Sequence, residues 1–140
     1  MTINEYFKRV YSELFDDWSK YTKIKPKAPR IYCKDGKLSL SVQASRHHYC
    51  SPRDDFAEYY KVEVGYPSRV PPKEWAKYFD GEFKRTTAKK GVYGYVPVKI
   101  VEKWIEEHGG IDYEKTIRMW QIDIEKRIEI KSFMLLEKKN

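Results

Sequence analysis

Two alternating segments decide the fold of this chain: Lys37-Leu-Ser-Leu-Ser-Val-Gln-Ala-Ser45 and Tyr59-Tyr-Lys-Val-Glu-Val-Gly-Tyr66. In both, apolar residues occupy every second position: Leu38, Leu40, Val42 and Ala44 in the first, and Tyr60, Val62 and Val64 in the second. Strict alternation places one set of side chains in a core and the other in water, which is typical of half-buried antiparallel strands. We therefore predict an antiparallel sheet built around these two strands.

Two further strands extend this sheet. Asp35-Gly36 supplies the backbone conformations of a tight hairpin turn, so Arg30–Cys33 is predicted to pair with the strand that follows. Cys33 and Leu38 would then be cross-strand neighbours, which favours Cys33 as a small core residue. A fourth strand is predicted over 91–96, where Gly94 indicates that another part of the chain approaches closely.

Helices are predicted to flank the sheet. Thr2 and Glu5 form a capping box, and apolar residues then recur at helical spacing, which predicts a helix over 3–19. Pro72 and Pro97 each suit the first turn of a helix, which predicts helices over 73–80 and 97–108. Gly109-Gly110 would end the second of these.

The C-terminal segment allows two interpretations. Residues 112–140 contain no glycine or proline, and their apolar residues fit either a helix with two opposed apolar stripes or an alternating strand. A strand pair would need a turn near Glu125-Lys126, where no turn-forming residue exists. We therefore predict a long helix that buries one stripe against its own sheet and the other against a second copy of the chain, forming a homo-oligomer.

Length and composition indicate one α+β domain. A chain of 140 residues fits a single domain with an N-terminal helix (1–19), a sheet-helix core (30–111) and a C-terminal helix (112–140). No apolar run approaches the roughly 18 residues of a membrane span, and the first residues are amphipathic rather than leader-like. Two cysteines are too few for a disulfide scaffold, so we expect a cytoplasmic protein, in the host cell if a phage encodes it.

The formal net charge of +7 is concentrated in two stretches. Residues 20–37 carry seven lysines and arginines against one aspartate, a sum of +6, and residues 82–103 carry six against two glutamates, a sum of +4. Concentrated positive charge indicates an anionic partner. A solvated surface explains the same pattern, and composition alone does not separate the two.

These stretches and the loop between the central strands supply the candidate binding residues. The lysines and arginines expected to contact an anionic partner are Lys23, Lys25, Lys27, Arg30, Lys84, Arg85, Lys89 and Lys90. The residues expected to line a loop site are Arg46, His48 and Arg53. The tyrosines expected to stack on bases are Tyr21, Tyr32, Tyr93 and Tyr95. Cross-strand packing is the alternative role for the tyrosines.

The same loop is the candidate for chemistry. His47, His48 and Cys50 are possible zinc ligands or catalytic groups, but four ligands at zinc-binding spacing are missing. Catalytic triads usually draw their members from separate elements rather than from one loop. We therefore expect no metal and no cofactor, and we predict a non-enzymatic binding protein, with a small hydrolase or nuclease as the alternative.

The middle half of the chain resembles small proteins encoded in phages and prophages. The resemblance lies in Ser41-Val-Gln-Ala-Ser45, His48-Tyr-Cys-Ser-Pro-Arg53, Val62-Glu-Val-Gly-Tyr-Pro-Ser68, Tyr93-Gly-Tyr-Val-Pro-Val98 and His108-Gly-Gly-Ile111. Some small phage proteins of this size inhibit bacterial defence systems by binding an effector complex or sequestering a nucleotide signal. The resemblance therefore implies an accessory or inhibitor protein that acts on a nucleic-acid-handling protein, a nucleic acid or a nucleotide. It assigns no functional residue.

Overall fold

The computed structural model describes residues 1–16 and 24–139. Its elements are α1 (Ile3–Leu14), β1 (Ile31–Tyr32), β2 (Ser39–Gln43), β3 (Lys61–Gly65), a 3₁₀ helix (Lys73–Tyr78), β4 (Val92–Pro97), α2 (Val98–Glu107) and α3 (Tyr113–Lys139). The strands form one antiparallel sheet in the order β1-β2-β3-β4. The prediction of an α+β fold with four strands and a long C-terminal helix is confirmed.

The alternating residues of the two central strands form the middle of the core. Leu38, Leu40, Val42 and Ala44 are all buried, as are Val62 and Val64 of β3. The same core contains four side chains of α1, namely Ile3, Tyr6, Phe7 and Val10. The period-two pattern therefore identifies the correct face of both strands.

The predicted hairpin between β1 and β2 is also confirmed. Gly36 has a φ of +72°, a left-handed conformation that side chains rarely adopt. The Asp35 carboxylate accepts hydrogen bonds from the backbone N–H groups of Lys37 and Leu38, at 2.8 and 3.2 Å. These bonds, and a contact with His108, lower the pKa of Asp35 to about 2. The Cys33 N–H donates to the Leu38 carbonyl at 2.9 Å, which makes these residues cross-strand neighbours.

The inward position of Tyr60 was predicted wrongly. Tyr60 is 60% exposed, whereas Tyr59 is only 4% exposed. The alternation fails here because β3 begins only at Lys61. The backbone before Lys61 makes its hydrogen bonds with other parts of the chain. The Tyr59 N–H donates to the Asn4 side chain at 2.9 Å, which turns the Tyr59 ring toward α1.

Two predicted helices are shorter than expected. The first helix was predicted over 3–19, but α1 ends at Leu14, so residues 15–16 are not helical. At this end the Phe15 N–H donates to the Tyr11 carbonyl. Residues 17–19 lie outside the described ranges. The segment after Pro72 forms a six-residue 3₁₀ helix rather than an α-helix over 73–80. A 3₁₀ helix suits a short connector that buries a single large side chain, here Trp75.

The helix that follows β4 agrees with the prediction. It begins after Pro97 and ends before two glycines whose φ angles are +89° and +87°. Its Trp104 side chain packs against Trp75, with 5.0 Å between ring centroids. This module therefore closes the core on the side of the 3₁₀ helix.

The C-terminal segment is helical, as predicted, but most of α3 lies outside the core. Its first turns are anchored: Thr116 is fully buried, and its hydroxyl accepts the Tyr32 N–H at 3.0 Å. Trp120 packs edge-on against Phe15. The prediction that one stripe packs along the sheet is wrong beyond Trp120, because every later residue described except Ile124 is exposed. No helix within 1–16 or 24–139 has the length and apolar content to cross a membrane.

Replacing Trp75 with alanine is expected to destabilise the fold by about 3–5 kcal/mol, because it empties a site between Trp104 and Tyr93. Lys73→Ala, on the exposed side of the same 3₁₀ helix, is the matched control and should change stability by less than about 0.5 kcal/mol. Urea denaturation measures both. Equal effects of the two substitutions would contradict this assignment of the core.

Candidate binding site

A β-bulge in β4 shapes the surface of the sheet. Val62 pairs with Val96 and Val64 with Tyr93, so Glu63 alone opposes two residues of β4, Gly94 and Tyr95. The Tyr95 backbone is left-handed, with a φ of +55°. The extra residue allows both Tyr93 and Val96 to face the core, where each is fully buried.

The burial of Tyr93 corrects its predicted role. Its ring packs against Trp75 and Phe79, and its hydroxyl donates to the Ala88 carbonyl at 2.6 Å. Burial raises the pKa of Tyr93 to about 12. Tyr93 is therefore a core residue and cannot stack on a ligand.

The loop between β2 and β3, residues 46–58, packs against this bulge and is called the histidine loop below. Tyr95 donates its N–H to the Tyr49 carbonyl at 2.9 Å, and Tyr49 donates its own N–H to the Glu63 carboxylate at 3.3 Å. A Cβ atom at Gly94 would lie 3.1 Å from the Tyr49 Cβ. The close approach predicted at Gly94 is confirmed, and it fixes the backbone of Tyr49 beside β4.

Two tyrosine side chains meet on this surface and are called the tyrosine pair. The rings of Tyr49 and Tyr95 have centroids 5.9 Å apart and planes 39° apart, and they are 44% and 40% exposed. The Arg53 guanidinium lies 5.9 Å from the centre of the Tyr49 ring. The structure thus brings together Arg53 and Tyr95 of the predicted site. Sequence reasoning missed Tyr49, although Gly94 indicated that some part of the chain approaches there.

The histidine next to the tyrosine pair is held by its neighbours. The His48 Nδ1 atom lies 2.6 Å from the Ser45 hydroxyl, and its Nε2 atom lies 3.9 Å from a Glu63 carboxylate oxygen. Burial lowers the pKa of His48, while Glu63 acts in the opposite direction. Serine, histidine and glutamate are also the components of a hydrolytic triad. Here Ser45 is only 2% exposed, so this arrangement orients the loop and offers no accessible nucleophile.

Cys50 lacks the properties of a nucleophile. The side chain is fully buried, and the thiol donates to the carbonyl groups of Ser45 and Pro52 at 3.2 and 3.4 Å. Burial raises the pKa of Cys50, which disfavours the reactive thiolate. Within residues 1–16 and 24–139, no three His, Cys, Asp or Glu side chains form a group that could hold a metal ion. The hydrolase alternative therefore has no supporting geometry in this loop.

Arg46 belongs to the internal structure of the histidine loop. Its backbone N–H donates to one Asp55 carboxylate oxygen at 3.1 Å, and its side-chain Nε atom lies 3.5 Å from the other oxygen. The same Nε atom lies 3.3 Å from the Nε2 atom of the exposed His47. Asp55 therefore offsets part of the positive charge that Arg46 was predicted to offer a ligand.

Lys25 was predicted to contact an anion, but it is a buried structural residue, only 6% exposed. Its ammonium donates to the Ala44 carbonyl at 3.0 Å. It also lies between four aromatic rings, with distances of 4.5–5.8 Å to the centres of Phe7, Tyr11, Phe56 and Tyr59. Burial lowers the pKa of Lys25 to about 8. This cation joins α1, the end of β2 and the histidine loop.

Arg30 also has a structural role, because its side chain binds other residues of the chain. Its guanidinium donates to the Ser39 hydroxyl and carbonyl, both at 3.0 Å, and to the Tyr66 carbonyl at 2.6 Å. Burial lowers the pKa of Arg30, although its charge persists at any ordinary pH. Tyr32 is half-buried, with the Lys115 ammonium 5.6 Å from its ring centre. Lys27 is exposed, and the predicted Lys23 and Tyr21 lie outside the described residues.

The structure brings only part of the first basic stretch to the same end of the sheet as the second. The loop over 82–90 carries four exposed basic residues: Lys84, Arg85, Lys89 and Lys90. The C-terminal end of this loop lies beside the end of β3, where the Tyr66 N–H donates to the Gly91 carbonyl at 3.0 Å. Lys25 and the neighbouring backbone bind the C-terminal end of β2, at the opposite end of the antiparallel sheet. Arg30 shares the end of the sheet beside the 82–90 loop, because it donates to the Tyr66 carbonyl, whereas Lys25 lies at the other end.

Comparisons with protein-family models, with curated proteins and with solved structures find no match for this chain.

Both cysteines are expected to resist thiol reagents in the folded protein, because Cys33 and Cys50 are buried and burial raises the pKa of each thiol. Titration with Ellman's reagent at neutral pH should detect no thiol until denaturant is added, and then two. A native thiol that reacts within seconds would contradict the structural role of Cys50 and restore the hydrolase alternative.

Proposed function

We propose that this chain is a non-enzymatic binding protein that assembles with macromolecular partners through α3. The observation that carries the proposal is the exposure of seven large apolar side chains on one helix. They are Ile122, Ile128, Ile130, Phe133, Met134, Leu135 and Leu136. Soluble monomers rarely expose a contiguous apolar surface of this kind, and such surfaces mark sites of association.

The exposed area is sufficient to drive association. Six of the seven side chains, from Ile128 to Leu136, are 54–63% exposed. Covering the exposed half of such a side chain is worth about 1 kcal/mol. The apolar residues lie on opposite sides of the helix, so a partner that contacts a single face leaves the other in water. A bundle of several helices covers both.

A second copy of the chain is the proposed partner in that bundle. Residues 122–129 contain two basic and three acidic side chains, a sum of −1, and residues 130–138 contain two basic and one acidic, a sum of +1. Antiparallel pairing of two α3 helices places these halves opposite each other, whereas parallel pairing places like charges together. The charge pattern therefore favours antiparallel self-association.

The wider role follows from the resemblance to phage proteins. We propose an accessory or inhibitor protein, such as an inhibitor of a bacterial defence system, that engages a nucleic-acid-handling protein, a nucleic acid or a nucleotide in the cytoplasm. The positive net charge and the exposed tyrosines support an anionic or aromatic target. The side chains proposed for assembly lie on α3 and those of the histidine loop over 46–58, so the two contact surfaces use different residues.

Phe133→Glu and Leu135→Glu, on opposite faces of α3, are each expected to weaken self-association by at least tenfold, because each places a charge in an apolar contact. Sedimentation equilibrium over a range of protein concentrations measures the effect. Thr86→Glu adds the same charge at an exposed position of the loop over 82–90, outside α3, and serves as the matched control, with association close to that of the original chain.

A chain that sediments as a monomer into the high micromolar range would contradict the proposed self-association. Equal weakening by Thr86→Glu and Phe133→Glu would also contradict it, because the effect would then reflect added charge rather than lost apolar contact.

A further inference from the structure

We propose that the tyrosine pair, together with Arg53, is a stacking site for an unpaired base of single-stranded nucleic acid. The inference deepens the proposed function by naming the ligand of the histidine-loop surface. It rests on the chain's being a binding protein, and it does not require self-association through α3.

The backbone conformation of Tyr95 indicates a functional position. A φ of +55° is rare for an aromatic residue and is strained, and glycine would occupy the same bulge position without that strain. The core does not require the ring, because 40% of Tyr95 is exposed and the buried residues on either side are Tyr93 and Val96. Bulges and strained residues of this kind are found next to functional sites, where they redirect a side chain.

The surface is also fixed before a ligand arrives. The Tyr49 backbone is held on both sides, by the Glu63 carboxylate and by the Tyr95 N–H. Gly94 allows the Tyr49 side chain to lie directly against β4. Ordering the two rings therefore costs little when a ligand binds, which raises its affinity.

The chemistry of the surface selects the ligand. Tyrosine rings stack on any base, and the guanidinium of Arg53 can contact the phosphate that follows the stacked base. A duplex hides the faces of its bases, so only an unpaired strand offers both groups together. The net charge of +7 favours a polyanion over an uncharged proline-rich peptide, which also packs against tyrosines.

Tyr95→Gly provides the direct test, because it removes the ring and relieves the backbone strain together. The probe is a fluorescently labelled single-stranded oligonucleotide of about 12 nucleotides and mixed sequence, with binding measured by fluorescence anisotropy at low and moderate salt. We expect Tyr95→Gly to weaken binding at least tenfold while the melting temperature stays equal or rises. Tyr49→Ala and Arg53→Gln should also weaken binding.

Tyr66→Gly is the matched control. Tyr66 is also a tyrosine with a positive φ (+48°), 55% exposed, at the opposite end of β3 from the histidine loop. Its replacement relieves strain in the same way and should leave oligonucleotide binding unchanged. Equal losses for Tyr66→Gly and Tyr95→Gly would overturn the proposal.

Other results would overturn it as directly. These are no binding of the oligonucleotide at low salt, equally tight binding of the matching duplex, a lower melting temperature for Tyr95→Gly, or tighter Tyr95-dependent binding of a proline-rich peptide. Sedimentation of the same variants separates this site from the proposed assembly. A chain that self-associates but binds no oligonucleotide would overturn the stacking site alone.

Discussion

The pairing of β3 with β4 around Glu63 is the constraint on which the rest of the structure depends. One residue of β3 opposes two of β4, and this mismatch directs Tyr93 and Val96 into the core and Tyr95 out of it. Glu63 also accepts the Tyr49 N–H and lies near His48. A single irregularity therefore completes the core, anchors the histidine loop and creates the tyrosine pair. Part of the order of that loop is inherited from the sheet, since Tyr49 bonds to Glu63 of β3 and Tyr95 of β4.

The two proposed contact surfaces have different physical origins. The tyrosine pair is a local feature of a rigid sheet, where backbone hydrogen bonds hold the residues in place. The α3 surface arises because the last turns of this 27-residue helix find no partner among residues 1–16 and 24–139. The first surface suits a small, flat group, whereas the second suits another helix. This difference would allow one chain to combine the proposed assembly with the proposed ligand contact.

The sequence predicted those parts of the fold that depend on local pattern. Alternation located the buried face of β2, Asp35-Gly36 located the hairpin, and Pro97 with Gly109-Gly110 bounded α2. It failed where distant residues decide. Nothing near Lys25 in sequence reveals that aromatic rings from α1 and residues 56–59 surround its ammonium. The roles of Tyr93 and Tyr95 could not be separated either, because alternation places both on one face until a bulge intervenes.

The central claim is that the bulge presents the tyrosine pair as a rigid surface before any partner binds. Amide hydrogen exchange of the free protein tests it most directly. The Tyr95 amide, which donates to the Tyr49 carbonyl, should exchange as slowly as the core amides of Val62 and Val64 in β3. If it exchanges as fast as the amides of exposed loops, the bulge opens freely and the surface is not preformed, which would contradict the account.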